Sequence, residues 1–115
     1  MNRGERQAII NQDLREFVAL SRRSNQMPIR KKNPTFKHDS WVFKLAWEDV
    51  NEGHNVIVTG RLTGERGFPD IARVGPEHRI VEVLASETLA EAEVKVLKYP
   101  PWQALFFSTE KESFL

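Results

Sequence analysis

The 115-residue sequence predicts a small mixed α/β protein, in which helices cover a β-sheet. Apolar residues recur at helical spacing near the N-terminus and again over residues 40–51 and 86–99. Short β-branched runs, bounded by glycine or proline, occupy most of the chain between and after these segments. A composition of 40% hydrophobic and 29% charged residues is typical of a chain that buries one core.

The first predicted element is an amphipathic helix over residues 5–23, which ends before Pro28. A polar, proline-marked linker over residues 25–38 follows it. We therefore expect residues 1–37 to form an N-terminal helix and basic linker, and residues 38–115 to form the main domain. The exposed face of such a helix also suggests a homodimer formed through it.

Residues 40–51 fit two interpretations. Aromatic and aliphatic residues alternate at the start, which favours a strand: Trp41, Phe43, Leu45 and Trp47. Asp39 or Ser40 is a good N-cap and Gly53 a good C-terminal stop, which favours a helix. We predict a helix because both ends are marked. Phe43, Trp47 and Val50 form an apolar stripe at i, i+4 and i+7 that is expected to join the core, and three further residues broaden it: Val42, Leu45 and Ala46.

Three β-branched runs predict strands over residues 55–62, 68–74 and 78–85. A three-residue loop, Gly75-Pro76-Glu77, joins the last two. With that loop, residues whose numbers sum to 152 lie opposite each other. The pairing predicts Asp70 opposite Glu82 on one face, with Cβ atoms about 5 Å apart.

A helix over residues 86–99 and a strand over 102–108 complete the prediction, with Ser86 as the N-cap and Pro100 as the stop. The remaining tail is expected to fray in part. The order after the first helix is therefore α-β-β-β-α-β.

This order, together with the stretches GFPDI and RIVEVLASET, resembles the PD-(D/E)xK nuclease-like (restriction-endonuclease-like) superfamily over residues 38–108. The resemblance implies metal-dependent hydrolysis of phosphodiester bonds in nucleic acid, with DNA the favoured substrate. It implies Asp70 and Glu82 as ligands of Mg²⁺ or Mn²⁺, which prefer oxygen donors. Glu48 is a further candidate ligand, and the backbone carbonyl of Val83 another.

The lysine that the resemblance requires is absent, because Leu84 occupies its position. Lys95 is a candidate replacement. The rise of the strand to Ser86 and the return of the next helix place it level with Glu82. Two interpretations stay open, since Lys95 also belongs to a polar stripe typical of a solvent-facing surface, with Thr88, Glu91 and Lys98. Lys44 is a weaker candidate.

Positive charge is concentrated near the N-terminus. Residues 1–40 hold nine Lys/Arg and four Asp/Glu, a net charge of +5, whereas residues 41–115 hold eight and twelve, a net charge of −4. Six basic residues are candidates for binding phosphate backbones: Arg22, Arg23, Arg30, Lys31, Lys32 and Lys37. The alternative is an ordinary solvated linker.

Composition and motifs exclude several classes of function. The chain has no cysteine, which excludes disulfides, zinc–thiolate sites and thiol nucleophiles and favours an intracellular, cytoplasmic setting. No apolar run reaches the roughly 18 residues of a membrane helix, and no nucleotide-binding glycine motif is present. The adjacent pair His38-Asp39 could place a polar group near the acidic pair, although His38 is expected to sit at a cap or turn.

The sequence is consistent with three hypotheses. The first is a metal-dependent nuclease-like protein. The second is a catalytically inactive module of the same fold that binds DNA, RNA or a protein. The third is an unrelated α+β fold, in which residues 40–48 would form a strand and the two carboxylates would point apart.

Overall fold

Five strands form one mixed sheet, and their order in space is their order along the chain. In the computed structural model, which describes residues 1–18 and 36–115, the strands are β1 (Asn55–Val58), β2 (Ile71–Val74), β3 (Arg79–Leu84), β4 (Gln103–Ser108) and β5 (Ser113–Phe114). β3 and β4 are parallel, whereas the other neighbours are antiparallel. A parallel pair needs a crossover connection, and helix α3 (Leu89–Val96) supplies it.

Helices cover both faces of the sheet. Helix α2 (Phe36–Asn51) packs on one face, where Val42 joins Val81 in a buried cluster. Helix α1 (Arg3–Leu14) and the end of α3 cover the other, where Ile10 joins Ile80. Because successive strand residues point to opposite faces, β3 contributes to both cores. The predicted class, a mixed α/β protein, is confirmed.

The predicted strand register is confirmed. Ile71 pairs with Val81 and Ala72 with Ile80, so partners sum to 152 as expected for the three-residue loop. The amide of His78 donates to the carbonyl of Gly75 at 3.0 Å, which closes that turn.

The first helix is shorter than predicted. It ends at Leu14 rather than at residue 23, and residues 19–23 lie outside the described part of the chain. Phe17 instead forms a β-bridge to Leu62 and packs near Trp102. This contact gives the Phe17 ring a buried site and the backbone a hydrogen-bonding partner, which outweigh one more helical turn. Ile10 is buried against the sheet, whereas Leu14 at the end of α1 is 40% exposed. A homodimer formed through this helix stays a prediction.

A helix is confirmed in the segment 40–51, but it begins at Phe36, so Asp39 and Ser40 lie inside it and neither is its N-cap. Phe43, Trp47 and Val50 point away from the core. The opposite side of α2 is buried instead, including Val42 and Asp49. A buried polar interaction explains this orientation of the helix. The Asp49 carboxylate is buried and accepts hydrogen bonds from Arg73 and Arg79, which fixes the rotation of the helix about its axis.

The predicted fraying of the tail is wrong. Phe114 belongs to β5 and lies edge-on against the Phe107 ring at 5.1 Å between centroids. The amide of Leu115 donates to the carbonyl of Phe106 at 2.9 Å. In the described ranges, no helix has both the length and the apolar character needed to cross a membrane.

Candidate active site

Asp70 and Glu82 face each other at the centre of the candidate site. Asp70 comes directly before β2, and Glu82 lies within β3, one step beyond the paired residues Ile71 and Val81. The Asp70 Oδ2 atom accepts the backbone N–H of Val83 at 2.8 Å, which orients this carboxylate. The Glu82 side chain is fully buried, at 0% exposure. The predicted juxtaposition of the two carboxylates is therefore present.

The two carboxyl groups share one proton near neutral pH. Burial and the negative charge of Asp70 raise the pKa of Glu82 to about 9. Burial also opposes ionisation of Asp70, but hydrogen bonds with His38, Glu82 and the Val83 amide hold the pKa of Asp70 below its ordinary value. Glu82 is therefore the protonated member of the pair.

Both oxygens of Glu82 are buried without a hydrogen-bond donor. A carboxylate that faces another carboxylate has a donor only when one of the two carries a proton. A proton or a bound cation therefore stabilises the pair, because it removes the repulsion between two buried negative charges.

Lys95 provides a cation at this pair. Its Nζ atom lies 3.7 Å from Glu82 Oε2 and 3.0 Å from Glu87 Oε2. Burial tends to lower the pKa of Lys95, but the charge of Glu82 and the contact with Glu87 raise it above its ordinary value. Lys95 is therefore protonated at neutral pH.

The direction in which the Lys95 side chain points depends on the residue at which α3 begins. Its N-cap is Thr88, which forms a capping box with Glu91, and not Ser86 as predicted. The buried residues of this segment are Ala92 and Tyr99, and Lys95 lies between them at i+3 and i+4. Its side chain thus shares the inward stripe, at 41% exposure.

His38 reaches the site from the first turn of α2. Its Nε2 atom lies 3.4 Å from Asp70 Oδ2, and its Nδ1 atom lies 3.2 Å from Asp39 Oδ1. Burial lowers the pKa of His38, but the two carboxylates outweigh burial and raise it. The adjacent pair His38-Asp39 was the sequence signal for this contact, although a capping role was expected.

Tyr99 is a site residue that the sequence analysis missed. Its hydroxyl is buried without a hydrogen-bond partner and lies close enough to Glu82 to lower the pKa of that carboxyl. Burial and the negative charge of Glu82 raise the pKa of Tyr99, so the phenol stays protonated. The only available signal was its place ahead of Pro100, at the predicted end of the helix.

Gly67 makes room for Tyr99, and we expect Gly67→Ala to destabilise the fold by about 1–3 kcal/mol. A Cβ atom at Gly67 would lie 3.3 Å from the Tyr99 ring, and the φ angle of +115° already disfavours a side chain. Urea unfolding at pH 7 measures the change. Gly53→Ala is the matched control, because Gly53 has a φ of +91° but open space around it. Equal losses in the two variants would exclude a packing role for Gly67.

Other predicted site residues lie elsewhere. Glu48 is exposed and lies ten residues, about 15 Å of helical rise, from His38. Lys44 Nζ sits 4.8 Å from the Trp41 ring centroid, and Lys37 is exposed in the first turn of α2. The remaining basic candidates lie outside the described residues: Arg22, Arg23, Arg30, Lys31 and Lys32.

The donor set suits a hard divalent cation. Two carboxylates with unpaired Glu82 oxygens match the oxygen ligands that Mg²⁺ and Mn²⁺ prefer. Over residues 1–18 and 36–115, no group of three or more His, Asp or Glu side chains is arranged to hold a metal.

The chain was compared with known proteins. No protein-family model matches it, and no curated protein or solved structure gives a significant match.

Proposed function

We propose that this protein is a divalent-metal-dependent nuclease of the restriction-endonuclease-like type, which hydrolyses phosphodiester bonds in nucleic acid. The observation that carries the proposal is the approach of the Lys95 ammonium to within 3.7 Å of Glu82, beside Asp70. A lysine from α3 thus stands beside the acidic pair, although Leu84 occupies the usual position. The element order α2-β1-β2-β3-α3-β4 supports the same assignment.

Each residue has a distinct proposed role. Asp70 and Glu82 would hold Mg²⁺ or Mn²⁺, which acts as a Lewis acid and activates water. Glu82 would hold the cation as a carboxylate, so its proton would be released when the cation binds. Because Lys95 is protonated at neutral pH, it does not act as a base. Its ammonium instead stabilises the negative charge that develops on the phosphate. His38 contacts Asp70 and positions that carboxylate.

A cleavage assay tests the proposal. Labelled single-stranded, duplex and branched DNA, and RNA, are incubated with the full chain in Mg²⁺, Mn²⁺ or EDTA, with Asp70→Asn alongside. We expect cleavage that requires the metal and is lost in the variant. Cleavage that persists in Asp70→Asn, or no cleavage of any substrate by folded protein, would reject it.

A non-catalytic module that binds nucleic acid is the second candidate. Two observations favour it. Leu84 occupies the usual lysine position, and Glu82, with its pKa raised to about 9, is protonated at neutral pH when no cation is bound. Binding that weakens as salt rises, with no cleavage in either metal, would support this candidate.

A further inference from the structure

The outward face of α2 carries a continuous apolar stripe. Phe43, Trp47 and Val50 expose 59%, 56% and 54% of their surface, and Phe36 at the helix start exposes 89%. With Ser40, these residues alternate at spacings of four and three, which is the pattern of a helix–helix seam. The other face of α2 packs on the sheet, so the stripe lies outside the core that residues 1–18 and 36–115 form.

We propose that this stripe binds the same stripe of a second copy of the chain, with the two α2 helices antiparallel. An antiparallel pair centred on Leu45 maps residues 40, 43, 47 and 50 of the stripe onto one another, because opposite residues then sum to 90. Phe36 then lies at the end of the interface, beyond the C-terminus of the other α2 helix. Phe43 lies opposite Trp47 of the second copy, and Ser40 lies opposite Val50. Such a self-complementary patch is what a two-fold symmetric dimer requires.

The exposed area is sufficient for a weak dimer. Large side chains of this type present about 150–250 Å² each, so the four exposed members leave roughly 500 Å² on one copy. A pair would bury roughly 1,000 Å², which is at the lower limit of specific interfaces. We therefore expect a dissociation constant on the order of 1–100 μM.

The helix dipoles favour the antiparallel arrangement. An antiparallel pair places the N-terminus of each α2 helix beside the C-terminus of the other, so that the positive end of one dipole lies next to the negative end of the other.

Sedimentation equilibrium on the full chain, from about 1 to 200 μM, tests the proposal. We expect a monomer–dimer equilibrium that Trp47→Glu weakens at least about tenfold. Leu97→Glu is the matched control, because Leu97 is exposed on α3, and this variant should leave the equilibrium unchanged. A monomer at every concentration, or a dimer that Trp47→Glu does not affect, would overturn the proposal.

A second variant and an unfolding measurement separate pairing from damage to the fold. Phe43→Glu, opposite Trp47 in the pair, should weaken the dimer by a similar factor. Because both residues are exposed, neither variant should lower the free energy of unfolding of the monomer much in urea. If Trp47→Glu instead reduces nucleic-acid binding by a protein that is always monomeric, the stripe stacks on bases and the dimer is rejected.

Discussion

Replacing Lys95 by methionine is expected to lower the rate of metal-dependent cleavage about 10²–10³-fold, the usual loss when one charge-stabilising donor is removed. Methionine keeps an unbranched stem at the site but removes the ammonium that lies 3.7 Å from Glu82. Because this charge is needed most when negative charge develops on the phosphate, the loss should appear in kcat more than in KM. The rate constant of cleavage is measured under single-turnover conditions, with the enzyme in excess over the labelled substrate.

Lys98→Met is the control for Lys95→Met. Lys98 lies on the same polar stripe of the sequence but is exposed. Its replacement should change cleavage less than about twofold, as expected for a solvated surface charge. Similar rates for the two variants would remove Lys95 from the proposed site. A structural readout accompanies the rate: loss of the ammonium should raise the pKa of Glu82 further, because Lys95 lowers it.

The acidic pair could be predicted from sequence because two simple rules fix it. A three-residue loop sets the register of β2 and β3, and the two-residue period of a strand then decides which side chains share a face. Asp70 and Glu82 consequently fall opposite each other whatever the rest of the chain does. For the helix predicted over residues 40–51, only the C-terminal marker lies at an end, because the helix begins at Phe36 and Ser40 lies one turn inside it.

The rotation of each helix about its axis could not be predicted in the same way. α2 has two apolar sides, and the pattern alone favoured Phe43 and Trp47 as core. The buried pair between Asp49 and Arg73, which joins residues distant in sequence, decides the matter. For α3, Lys95 looked like a surface residue because its polar neighbours were visible in the sequence, whereas its buried partner Glu82 belongs to another element.

Glu82→Gln is expected to make the metal-free protein more stable by roughly 5 kcal/mol at pH 8, because about 3.5 pH units separate the ordinary pKa of 4.5 from pH 8 and each corresponds to about 1.4 kcal/mol. The pKa of Glu82 is raised from an ordinary value of 4.5 to about 9 in the folded state. The folded protein therefore binds a proton that the unfolded chain has already lost. This contribution to stability is complete below pH 4.5 and is lost as the pH rises to 9. Glutamine has nearly the same shape but does not titrate, so its stability should not decline.

Urea unfolding between pH 5 and 9 checks this prediction, with the exposed Glu93→Gln as the control. Parallel profiles for wild type and Glu82→Gln would mean that Glu82 ionises normally. Adding Mg²⁺ at pH 8 extends the test, because a ligand that binds only the folded state stabilises it. Wild type should gain stability and Glu82→Gln should gain none. This result would establish the acidic pair as a cation site even in a protein that cuts nothing, and so separates metal binding from catalysis.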